Sequence, residues 1–174
     1  LEVRDTLVYW ADQGFDIFRI DNPHTKPFLF WEWVIADVKS THPHVVFLAE
    51  AFTRPKLMQR LAKLGFDQSY SYFTWRTEKA EIQEYLEELT QTELNEYMRA
   101  NFFPTTPDIH PEHLKDASPQ AFEMRLTLAA TLSSVYGMLN GYELCEGKPN
   151  PTKDELWNSE KYDYKVRDWN APGN

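Results

Sequence analysis

One cysteine in 174 residues excludes an internal disulfide, so Cys145 reads as a packed side chain and the fold must rest on its core. No apolar run reaches the length of a membrane span. The first residues, Leu1-Glu2-Val3-Arg4-Asp5, do not follow the basic-then-apolar layout of a secretory signal. The expectation is a soluble, cytoplasmic protein, on a sequence that does not begin with methionine. Basic residues are also scarce: 18 Lys and Arg against 27 Asp and Glu leave a net charge of -9 with no cationic cluster. That balance argues against nucleic acid or an anionic membrane as partner. Internal repeats and low-complexity segments are absent as well.

What is present is a core-forming chain, 42% hydrophobic and 15% aromatic. Such a composition belongs to a globular domain rather than a disordered one. Apolar spacing predicts helices over 4–13, 26–40, 55–64, 77–89 and 122–132, with Gly14 and Pro55 as boundary signals. Between them lie strand-like runs at 15–21, 45–49, 66–75, 102–109 and 135–144. About five strand-helix units in alternation predict a parallel α/β architecture. A complete (β/α)8 TIM barrel takes about 250 residues, so the chain reads as the C-terminal part of one, incomplete as given. Residues 1–146 form this partial catalytic barrel, and 147–174 read as a polar, proline-bearing tail bordering the site.

The chemistry concentrates at three strand ends. In Phe15-Asp16-Ile17-Phe18-Arg19-Ile20-Asp21, side chains alternate between faces, so Arg19 and Asp21 point the same way. A guanidinium beside a carboxylate favours its ionised form. Glu50 ends the run Val45-Val46-Phe47-Leu48-Ala49, and apolar neighbours on both sides predict a carboxyl pushed towards its protonated form. Asp108 ends Asn101-Phe102-Phe103-Pro104-Thr105-Thr106-Pro107. An ionised and a protonated carboxyl group about 5 to 5.5 Å apart are the requirement of retaining sugar chemistry. A buried ion pair closing a strand is the competing reading of Arg19 and Asp21 alone.

Weaker signals read blandly. His42-Pro43-His44 and His110-Pro111-Glu112-His113 lack metal-ligand spacing and are expected to be solvent-exposed loop residues. Trp31 sits at core spacing, whereas Trp157 and Trp169 suit stacking on a sugar. Glu78, Glu81, Glu84, Glu87 and Glu88 read as a solvated helix face.

The strings Phe-Arg-Ile-Asp-Asn-Pro-His-Thr-Lys-Pro at 18–27, Phe-Leu-Ala-Glu-Ala-Phe-Thr-Arg-Pro at 47–55 and Gly-Tyr-Glu-Leu-Cys-Glu at 141–146 carry a resemblance. So do Gln-Ser-Tyr-Ser-Tyr-Phe-Thr-Trp-Arg at 68–76, Asn-Phe-Phe at 101–103, Thr-Pro-Asp-Ile at 106–109 and Ser-Glu-Lys-Tyr at 159–162. The chain resembles the α-amylase superfamily of glycoside hydrolases and transferases, and within it the α-1,4-glucan:maltose-1-phosphate maltosyltransferase family. The resemblance implies Asp21 as nucleophile, Glu50 as general acid/base, Asp108 as the third carboxylate and Arg19 as the holder of the nucleophile. It further implies substrate contacts at Asn22, near the donor phosphate, and at Lys161 and Tyr162, on the maltosyl unit. His24 lies within the motif and is placed with the substrate contacts, a structural hydrogen bond being the alternative. Thr105 departs from the family pattern, in which asparagine is expected.

The implied reaction is transfer of maltosyl units from maltose 1-phosphate to an α-1,4-glucan, with no metal and no organic cofactor. The full-length enzyme is expected to be a homodimer. A related α-glucan hydrolase is one alternative, and an inactive structural fragment the other.

Overall fold

The computed structural model describes residues 1–157, 159 and 164–170. Four strands follow one another in parallel pairing: β1 (Ile17–Asp21), β2 (Val46–Glu50), β3 (Gln68–Tyr70) and β4 (Ala100–Phe102). β5 (Val135–Tyr136) comes next in an order that follows the chain, β1-β2-β3-β4-β5. The helices are α1 (Glu2–Asp12), α2 (Phe28–Thr41), α3 (Pro55–Lys63), α4 (Lys79–Gln91), the short α5 (Leu94–Tyr97) and α6 (Pro119–Leu132). Helical crossovers between neighbouring parallel strands are the pattern expected from the alternating periodicities. No helix among the described residues is long and apolar enough to cross a membrane.

The chain divides into two compact units, the first comprising Leu1–Ser71 with Tyr85–Asn101 and the second Tyr72–Glu84 with Phe102–Asn174. In the first unit, α2 buries Trp31, Val34, Ile35 and Val38, which recur at helical spacing and so share one face. They join Phe47 and Ala49 of β2, together with Leu7 and Ala11 of α1, in one apolar core. Asp67 fastens the layers: it accepts from Lys39 Nζ at 2.6 Å and from the Phe47 N–H at 2.8 Å. Gly65 ends α3 at φ +110°, a conformation that disfavours any side chain, and a Cβ there would press on Ile35 Cγ2 at 3.0 Å.

In the second unit Leu114, Phe122 and Tyr142 form an apolar cluster, and Cys145 packs against it. Phe73 stacks on Phe102 with centroids 4.4 Å apart and rings 6° from parallel. The Gly137 N–H donates to the Phe102 carbonyl, which brings β5 alongside the end of β4.

Three expected strands prove shorter than their apolar runs. The run 66–75 yields β3 only over 68–70 and then a 3-10 turn over Tyr72–Trp75. Hydroxyls spend the available acceptors: Ser71 Oγ donates to the Asn101 carbonyl at 2.9 Å and Thr74 Oγ1 to the Phe103 carbonyl at 2.8 Å. The strand expected over 102–109 lies at 100–102, ahead of Pro104, which carries no N–H for a ladder. β5 stops at Tyr136, and the chain then turns through left-handed Gly141 and Cys145 around a 3-10 turn at Tyr142–Leu144.

The histidine expectation also needs correction. His110 is buried, its Nε2 3.0 Å from the Gly147 carbonyl, and His113 is half-buried rather than exposed. His44 does lie exposed, and its Nε2 is 3.1 Å from Asp16.

Candidate active site

Parallel pairing in register sets the site. Ile17 pairs with Val46 and Arg19 with Leu48, which brings Asp21 directly opposite Glu50 at the carboxyl ends of β1 and β2. Paired residues in a sheet point to the same face, so Arg19, Asp21, Leu48 and Glu50 share one. The opposite face carries Phe47 and Ala49 into the helical core. The alternation read from the sequence of β1 thus has a packing cause, because Phe18 and Ile20 pack against that core while Ile17, Arg19 and Asp21 lie exposed on the other face.

Arg19 spans both carboxylates. Its Nη1 lies 3.6 Å from Asp21 Oδ1 and its Nη2 3.8 Å from Glu50 Oε2. Glu50 is 5% exposed, whereas the Asp21 side chain is open to solvent. Burial pushes the Glu50 carboxyl above the ordinary carboxylate range, opposed by the Asn22 N–H and the Arg19 charge and reinforced by nearby Asp21. One carboxyl group is therefore biased towards holding a proton while its neighbour stands in water. That is the asymmetry an acid and a nucleophile need.

Asn22 ties the two together. It sits in the left-handed region at φ 44°, ψ 51°, which asparagine tolerates better than most residues. Its N–H reaches the Glu50 carbonyl at 3.0 Å and Glu50 Oε2 at 3.2 Å, and its side-chain amide donates to Asp21 Oδ1 at 3.1 Å. A 3-10 turn over Pro23–Thr25 follows, closed by Thr25 on the Asn22 carbonyl and pinned by Trp31 Nε1 on the Pro23 carbonyl at 2.8 Å. Trp31 is a core residue, as its spacing predicts. His24 lies in this turn with Nδ1 buried and without a hydrogen-bond partner among the described residues.

Asp108 belongs to the second unit, where it is exposed in a tight turn. Thr106 and Ile109 bridge across that turn, and Thr106 Oγ1 accepts from the Asp108 N–H at 3.2 Å. Thr105, the departure from the family pattern, is buried. Ser159 Oγ donates to the Pro107 carbonyl at 3.1 Å. Nearby in the same unit is a cavity of about 240 Å³ lined in part by Pro107, Asn140, Glu146 and Arg167. Glu146 accepts from Arg167 Nε at 2.9 Å and lies 3.0 Å from Lys165 Nζ. Lys161 and Tyr162 lie outside the described residues. Among the described residues no group of three or more His, Cys, Asp or Glu is arranged to hold a metal ion.

The sequence reading passed over Tyr70. Leu48 pairs with Gln68 and Ala49 with Ser69, so Tyr70 continues the row that runs from Asp21 through Glu50. Its ring lies 5.9 Å from the Arg19 guanidinium carbon. Only the register could reveal this, since nothing within the string 68–76 marks one tyrosine from another.

No family model matches the chain. Curated relatives of the chain are named α-1,4-glucan:maltose-1-phosphate maltosyltransferase. That of Rhodospirillum rubrum is 60% identical over 174 residues, covering 100% of this chain and 25% of the relative. Those of Myxococcus xanthus and Pseudomonas aeruginosa are 56% and 51% identical, over 99% of this chain and 26% of each relative. The chain thus spans about a quarter of the length of these curated relatives. Among solved structures, an Anoxybacillus α-amylase superposes with a TM-score of 0.74 at 17% identity, over 91% of this chain and 39% of that one. The α-amylase of Geobacillus thermoleovorans, solved with acarbose, gives 0.67 at 18% identity, over 90% and 40%. The fold is that of part of an α-amylase barrel, and along its entire length the chain resembles a segment of the α-1,4-glucan:maltose-1-phosphate maltosyltransferases.

Proposed function

We propose that this chain is a segment of a retaining maltosyltransferase, and that it supplies the reacting carboxyl groups. The observation that carries the reading is the in-register pairing of Asp21 with Glu50, bridged by Arg19, in a chain 60% identical to a protein of that name. Asp21 attacks the anomeric carbon of maltose 1-phosphate, the bond from that carbon to the phosphate oxygen breaks, and Glu50 gives its proton to the leaving group. A glucan 4-hydroxyl then attacks the maltosyl-enzyme, its proton passing to Glu50 as Asp21 departs. Two inversions retain the anomeric configuration.

Arg19 and the Asn22 amide hold Asp21 for attack, a reading supported by their contacts with its carboxylate, and the Asn22 side chain meets the departing phosphate as well. Asp108 steadies the charge that develops on the sugar, while His24, Lys161 and Tyr162 contact the substrate. Residues 1–146 belong to the catalytic barrel and 147–174 border its site. The enzyme works in the cytoplasm as a homodimer on maltose 1-phosphate and α-1,4-glucan, without metal or organic cofactor.

The test uses the full-length enzyme that carries this segment. Incubated with maltose 1-phosphate and a glucan, it should release phosphate and lengthen the glucan. Free maltose as the main product would instead identify a hydrolase. A slow fluorinated maltosyl donor should label Asp21, and label on Glu50 would reverse the assignment. Asp21→Ala should lower kcat by at least about 10⁴-fold, as loss of a nucleophile does elsewhere. Glu50→Gln should slow both half-reactions by roughly 10² to 10⁴-fold, because acid and base are one group.

A further inference from the structure

We infer that Tyr70 is a positioning residue that holds the Arg19 guanidinium between Asp21 and Glu50, an inference that rests on the retaining mechanism proposed above. The two ion pairs, at 3.6 and 3.8 Å, are longer than hydrogen bonds, so neither carboxylate alone fixes the orientation of the guanidinium. Its side chain is 41% exposed and would be free to swing into solvent. The face of Tyr70, 5.9 Å away, supplies the third contact through the attraction of a cation to an aromatic ring. Tyr70 is itself held: it is 7% exposed, on the strand next to Glu50, and packs against Phe52 with centroids 5.6 Å apart. Among the described residues, the groups that act on Glu50 are Arg19 and Asp21 from β1 and the Asn22 N–H from the turn after it, and Tyr70 stands on β3, the next strand.

The role has a signature that packing alone does not produce. Arg19 lowers the Glu50 pKa against the rise caused by burial. When the ring is lost the guanidinium drifts, burial is less opposed, and the alkaline limb of the kcat/KM profile, which reports protonated Glu50, moves to higher pH. Tyr70→Phe keeps the ring and should leave kcat within about threefold of wild type with an unmoved limb. Tyr70→Leu should lower kcat about fivefold, the scale of a cation-ring contact at a part-exposed site, and raise the limb. Tyr70→Met stands in if the leucine variant fails to fold, as judged by thermal melting. A folded leucine or methionine variant whose rate falls at every pH alike, with the limb in place, overturns the inference and leaves Tyr70 as packing. Wild-type enzyme that fails to transfer maltosyl units overturns the mechanism on which the inference rests. The two failures are therefore distinguishable.

Discussion

Glu50 is the most costly side chain in the site. A carboxyl group that is 5% exposed and faces Asp21 loses hydration, and its raised pKa means that the unfolded chain gives up the proton more readily than the folded one. Stability therefore declines as pH climbs above the ordinary carboxylate value of 4.5 and keeps declining until the folded group has ionised. Glu50→Gln keeps an oxygen for the Asn22 N–H and removes the charge. The variant should melt higher than wild type at neutral pH, while the two converge below pH 4. A glutamine variant that melts lower throughout would show that the carboxylate stabilises the fold. The motif was legible in sequence because strand alternation and flanking apolar residues encode face and burial directly. Tyr70 was not, since its place depends on how β3 registers with β2. Buried His110 and half-buried His113 were also hidden, because their Pro- and Glu-containing string reads as an exposed loop.

At the scale of elements, helices were legible and strand lengths were not. The helices carry their apolar faces over 9 to 14 residues in α1, α2, α3, α4 and α6, long enough for the period to show. β3, β4 and β5 hold only two or three residues each, and hydroxyl contacts and left-handed residues decide where they stop. α6 carries a further element-scale contact that its apolar pattern did not announce. Arg125 is 1% exposed, lies 3.7 Å from the centre of the Phe73 ring and donates to the Phe73 carbonyl. It thereby joins α6 to the turn whose Phe73 stacks on Phe102 at the end of β4. Burial lowers its pKa to about 10, so it remains charged at neutral pH. Arg125→Ala should destabilise by about 2 to 4 kcal/mol in urea titrations, through the lost stem packing and the loss of one donor to the Phe73 carbonyl, which keeps the Arg76 N–H at 3.0 Å. Arg125→Met restores the stem without burying a charge and should cost less. An alanine variant as stable as wild type would show that the contact adds nothing net.

The same region makes the second unit sensitive to acid. Burial, with Arg125 and His110 nearby, lowers the His113 pKa from 6.5 to about 4. Between those values the unfolded chain takes up a proton that the folded one refuses, so stability falls as pH drops through that window, by up to about 3 kcal/mol. His113→Leu should flatten the dependence of the urea midpoint on pH between 6.5 and 4. An unchanged slope would place the acid sensitivity elsewhere.

For the molecule as a whole, β1 decides how the 174 residues behave alone. It stands at one end of the strand order, so one flank of its backbone has no neighbour among the described strands. Exposure alternates along it, with Ile17 63% exposed, and Phe15, Tyr9 and Trp10 of the same unit are 54%, 57% and 43% exposed. An open strand edge beside exposed apolar rings is a template for pairing with another chain. In an α-amylase barrel, a further parallel strand covers that flank. The isolated chain should therefore associate as its concentration rises, and it should not turn over maltose 1-phosphate. Ile17→Lys places a charge on this edge strand, on the face that it shares with Arg19 and Asp21, and should shift sedimentation towards monomer. A chain that stays monomeric at high concentration, melts cooperatively and transfers maltosyl units would show that the uncovered strand neither recruits a partner nor limits the chemistry.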